Sequence, residues 1–109
     1  MRTRELITRE SRMEPHKPAP VKFTMGRLLV TPGAMAALNR SHQEPSLFLG
    51  WHCVGNWGEL CAEDRATNER ALVSGGRIMS VYKTLRAETI WVITEGDRSA
   101  TTLLLPEEY

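Results

Sequence analysis

Three groups of side chains in this chain of 109 residues are of types that do chemistry. The first is His52, Asn56, Trp57, Asp64 and Asn68. Imidazole is the side chain suited to general acid–base work near neutral pH. Asp64 and Asn68 are four residues apart, so on a helix they share a face. The second group is Glu95-Gly-Asp-Arg-Ser-Ala-Thr-Thr102, a polar run in which Arg98 stands out. Its planar guanidinium fits a phosphate or carboxylate, with the Thr101 and Thr102 hydroxyls beside it. The third is His42, His52, Cys53 and Cys61, four soft donors for a metal such as zinc. Each group also has a plain structural reading. A histidine in the last turn of a helix bonds free carbonyls, and Asp64 near a helix start answers the helix dipole. Asp97 initiates a turn, with Arg98 paired to Glu95 or Asp97. The Cys53-x7-Cys61 spacing lacks the close pair of a structural zinc site, so no metal and no cofactor are expected.

The elements that must hold these residues follow from proline, glycine and hydrophobic period. Thr31-Pro32 is an N-cap followed by proline at the first helical position, which predicts a helix to about Arg40. Glu44-Pro45-Ser46 opens a second short helix that carries Phe48, Trp51 and His52 and ends near Gly55. Trp57 then sits in a glycine-bracketed turn, where core packing is the first expectation and partial exposure, suited to base stacking or a protein partner, the alternative. A third helix is predicted from about Ala62 to Val73, stopped by Gly75-Gly76. From Arg77 the period changes to two. Arg77–Thr84, Thr89–Glu95 and Ser99–Leu105 read as strands joined by hairpin-length turns. The run Gly26–Val30 reads as a strand or a packed lead-in. The expected fold is α+β, with about three short N-terminal helices packed on a C-terminal three-stranded antiparallel meander.

Composition limits the function classes. The chain has 14 Lys+Arg, 13 Asp+Glu and 41% hydrophobic residues, as in average soluble domains. That is too apolar for wholesale disorder and too short for a dinucleotide-binding or barrel enzyme. No apolar run reaches membrane-span length and no signal peptide is visible, so a cytoplasmic protein with reduced cysteines is expected. The charge is uneven. Arg2, Arg4, Arg9, Arg12, Lys17 and Lys22 outnumber the acids of residues 1–22, which also hold Pro15, Pro18 and Pro20. Residues 1–22 are expected to be a basic, disordered arm, and residues 23–109 a single, mildly acidic domain.

A combined pattern over residues 26–109 resembles a small bacterial family of plasmid and mobile-element proteins. The residues that carry it are Thr31-Pro-Gly-Ala34, Phe48-Leu49 with His52, Trp57-Gly58, Asp64 with Asn68, and the ending Ile90-Trp-Val-Ile-Thr-Glu95, Asp97-Arg-Ser99, Thr101–Tyr109. Members are sometimes labelled plasmid-related, or as a type I restriction modification subunit. A methyltransferase needs a cofactor-binding domain for which this chain has no room. The family's turn reads Asp-Trp-Gly, whereas this chain has Asn56 and so lacks a carboxylate there. Small size, the lack of a phosphate loop, G-x-S-x-G or H-E-x-x-H motif, and the resemblance together point to a non-enzymatic accessory protein that binds a protein or nucleic-acid partner. Trp57, Asn68, Arg98, Thr101 and Thr102 are the expected contact residues, and a homodimer through the sheet is open. The alternative is a small metal-independent ribonuclease of toxin type using His52, Asp64 and Arg98. That reading requires these three to lie within reach of one substrate.

Overall fold

A computed structural model describes residues 19–109. The expected arm therefore lies outside the described residues as far as residue 18. The chain from residue 19 forms β1 (Arg27–Val30), α1 (Pro32–Ser41), α2 (Pro45–Cys53) and α3 (Ala62–Ser74). Strands β2 (Ile78–Lys83), β3 (Thr89–Thr94) and β4 (Ala100–Leu104) follow, and a single 3-10 turn, Pro106–Glu108, closes the chain.

The helices begin where local chemistry requires. The Thr31 hydroxyl accepts from the Ala34 amide at 3.2 Å, and Pro32 fills the first turn of α1. Pro45 does the same for α2. Glu63 and Asp64 lie in the first turn of α3, and Gly75 and Gly76 end it with φ of 84° and 117°.

The expected α+β class holds, but the sheet has four strands rather than three. Its order is β1-β4-β3-β2. β2, β3 and β4 form the antiparallel meander, and β1 adds to it parallel to β4, with Leu29 opposite Thr102. Gly26–Val30 is thus a strand. Nothing local to it shows that its partner lies some seventy residues later.

All three helices cover one face of the sheet. Ile78, Tyr82, Ile90, Val92 and Leu103 point to them and are buried with Ala34, Ala37, Leu38, Phe48 and Leu49 from α1 and α2. Period-two alternation sends Met79, Val81, Trp91, Ile93, Thr102, Leu104 and Leu29 to the other face. On that face the closing turn lies over β3, and Tyr109 meets Trp91 edge-on at 5.6 Å.

Candidate functional site

α2 delivers His52 to the middle of the helix-covered face, where it has no solvent exposure. The expected bonding to free helix carbonyls does not occur. Nδ1 meets the Ser80 hydroxyl at 2.6 Å and Nε2 meets that of Thr94 at 2.9 Å. Thr94 in turn meets Thr101 at 2.6 Å, and the Thr101 hydroxyl donates to the Met25 carbonyl at 2.7 Å. The last bond fixes every other one, because a carbonyl only accepts. Thr101 has spent its proton on Met25, so Thr94 donates to Thr101. Thr94 has then spent its own, so His52 Nε2–H donates to Thr94. A neutral ring with Nε2 protonated must accept at Nδ1, so Ser80 donates to His52. Burial without a nearby carboxylate lowers the imidazole from 6.5 to about 4. His52 is therefore neutral at physiological pH, fully bonded and enclosed.

Arg98 also differs from its expected roles as a phosphate ligand or a partner of the Glu95 or Asp97 carboxylate. It occupies a left-handed position (φ 63°) at the tip of the β3–β4 turn, whose Asp97 side chain accepts from the Ser99 amide. Its guanidinium donates to four main-chain carbonyls: Ala71 (2.9 Å), Gly76 (2.7 Å), Gly96 (3.0 Å) and Glu95 (3.2 Å). The last turn of α3 contains no basic residue, so Arg98 brings the cation that the negative end of that helix favours.

Trp57 is buried, as the core reading expects, and its indole N–H donates to Glu69 at 3.0 Å. Asn68 is buried on the inner side of α3 and acts as a substitute strand. Its Nδ2 donates to the Met79 carbonyl (2.7 Å) and its Oδ1 accepts from the Met79 amide (3.1 Å). Asn56 accepts from the Gly58 amide, so it shapes the turn around Trp57. Thr101 is buried in the hydroxyl chain, whereas Thr102 is half-buried on the opposite face.

Asp64 is exposed, and as its spacing predicts it shares a face with Asn68. Both line a groove of about 190 Å³ with Leu60, Thr67, Arg77 and Met79. Among the described residues, no three His, Cys, Asp or Glu side chains are placed to hold a metal ion. Cys53 is buried with its thiol against the Gly50 carbonyl, while Cys61 is exposed at the start of α3.

His52, Trp57 and Arg98 do come together, but around Phe23, which the sequence had not marked out. The Phe23 ring is 5.1 Å from His52 (edge-on), 6.2 Å from Trp57 (stacked) and 5.8 Å below the Arg98 guanidinium. His52 and Trp57 form the buried part of this cluster, and half-buried Phe23 and Arg98 lie over them. His52 has no open ring nitrogen, Arg98 has carbonyls on its fork, and Asp64 faces solvent in the groove beside α3. Compared with known proteins, the chain matches no family model, no curated protein and no solved structure.

Proposed function

We propose that this is a non-enzymatic accessory protein that binds a protein partner across the outer face of its sheet. The observation that carries this reading is the contrast between the two faces. Three helices bury one. The other carries Ile93 and Leu104 buried, Met79, Val81, Trp91 and Thr102 half-buried and Leu29 exposed, with the closing turn over β3 and the groove beside α3 at Met79. Aromatic and methionine side chains on an incompletely covered face are typical of binding surfaces.

A protein fits better than a nucleic acid, because nucleic-acid affinity rests on cations free to meet phosphates. Among the described residues three arginines are committed to the fold: Arg98 holds carbonyls, Arg65 donates to the Leu60 and Gly58 carbonyls, and Arg40 pairs with Glu88 at 2.7 Å. An origin on a plasmid or other mobile element rests on the family resemblance alone.

The test is affinity capture from bacterial lysate with the native chain and with Val81→Glu, which places a charge on the outer face at β2. A reproducible partner held by the native chain and lost from Val81→Glu is the expected result. Capture indifferent to Val81→Glu, salt-sensitive binding of DNA or RNA, or RNA cleavage lost in His52→Ala would each overturn the proposal.

A further inference from the structure

The two ends of the strand order are finished very differently. On β2, the outward-facing main-chain groups of Met79 and Val81 are engaged. Asn68 takes both groups of Met79, the Val81 amide donates to Trp57, and the Val81 carbonyl accepts from Glu59. On β1, the Arg27 amide donates to Ser99 and the Thr31 amide to Leu103, so the odd-numbered residues face β4. Leu28 and Val30 therefore turn their N–H and C=O groups away from the sheet. No partner for those groups lies among the described residues. Leu28 is 54% exposed and Leu29 38%, with no proline, lysine or bulge to blunt the edge. An open apolar edge is a template for another strand.

We infer that β1 pairs antiparallel with β1 of a second copy, making one continuous eight-stranded sheet about a two-fold axis. The strand is self-complementary in one register. With Leu29 opposite Leu29 of the partner copy, Leu28 and Val30 of the two chains face one another and exchange N–H···O bonds on both sides of the axis. All the outward groups of both strands are then used. Leucine meets leucine on the outer face, and leucine meets valine on the helix-covered face.

The charges agree with this register. It sets Arg27 opposite Thr31 of the second copy, and the Thr31 hydroxyl holds the exposed Glu108 carboxylate at 2.5 Å. Each Arg27 thus faces an acid across the seam, and the two arginines lie at opposite ends of it. This pairing uses the edge and not the face, so it stands or falls apart from the outer-face reading.

The test is the oligomeric state of the full chain by light scattering and sedimentation over a concentration series. A dimer is expected. Leu28→Pro removes an outward N–H that the chain's own sheet does not use, and it should weaken the dimer by at least about tenfold. Arg27→Glu should weaken it as well, and Arg27→Lys should retain it. In a Cys61→Ser background, Leu29→Cys should cross-link to itself under mild oxidation, since residues facing across a non-hydrogen-bonded pair have Cα atoms about 4.5 Å apart. Leu28→Cys should not, because the two copies of residue 28 are diagonal, at about 7–8 Å. A chain that stays monomeric overturns the inference. So does a dimer unaffected by Leu28→Pro, or cross-linking through residue 28 and not residue 29.

Discussion

The two edges of this sheet show opposite solutions to one problem. An edge strand presents a row of unpaired main-chain groups, and a domain must cover them, blunt them or use them. The β2 edge is covered from two directions, by the Asn68 amide of α3 and by the Trp57–Glu59 segment, which pairs with Val81. The β1 edge has no such cover among the described residues and displays leucine. Both edges depend on a left-handed glycine at a close approach. Gly58 (φ 76°) lets the turn after Trp57 reach β2, where an added Cβ would lie 1.9 Å from the Val81 carbonyl oxygen. Gly26 (φ 66°) lets the chain run into β1 against the Ser99 main chain, with an added Cβ at 2.4 Å. The backbone solution is shared. The difference lies in what is laid on the edge afterwards.

That contrast can be broken most severely at Gly58. Gly58→Ala forces a left-handed alanine into the β2 carbonyl and should detach the whole cover. The expected loss is about 3–4 kcal/mol in denaturant unfolding. Nearly as large is the effect of acid on His52, which bridges β2 and β3. The folded state holds the imidazole neutral down to about pH 4, whereas the unfolded chain takes up a proton near 6.5. Stability from this residue is therefore intact above pH 6.5 and falls as the pH drops from 6.5 towards 4. The total is about 3 kcal/mol, and the slope should vanish in Thr94→Val with His52→Leu. Third, Asn68→Ala uncovers the Met79 amide and carbonyl and should cost about 2 kcal/mol. It should also create a second open edge, seen as association beyond a dimer. Least affected is the fold of Leu28→Lys, whose unfolding free energy at low protein concentration should stay within about 0.5 kcal/mol of native. A large loss there would mean that β1 is not the exposed edge described.

Features that depend on nearby residues were legible in the sequence. Thr31-Pro32, Glu44-Pro45 and Gly75-Gly76 mark helix limits within a residue or two, and the period-two runs place the three meander strands. What could not be read were partners distant in the chain. α1 has no acid in its first turn and α3 no base in its last. Both are supplied from the far end of the sequence. Glu108 accepts from Thr31 and from the Gly33 amide, which holds its carboxyl below the usual range, and Arg98 serves α3. Arg98 therefore looks like a ligand-binding arginine in a sequence and is a helix cap in the fold. His52 has the same history. Its neighbours Cys53 and Cys61 suggest a ligating setting, but its true partners are hydroxyls 28 and 42 residues later. Phe23 was invisible because its worth lies in the three side chains it meets, none of them near it in sequence. Three of the candidate residues thus do converge, and the character of their cluster is decided by contacts the sequence does not display.

The row of hydroxyls from Ser80 through His52, Thr94 and Thr101 to Met25 also has a consequence for the order in which the molecule assembles. Its donors all point one way, and its terminal acceptor belongs to the segment before β1 while its last hydroxyl belongs to β4. No shorter version is satisfied, because removing the final link leaves a threonine proton without an acceptor and frees each rotor behind it. Interactions of this kind form late, after the strands that carry them have met. They then act on the lifetime of the finished fold more than on the speed of reaching it. The network works as a latch closed by the parallel strand pair, the contact that joins the two ends of the described chain.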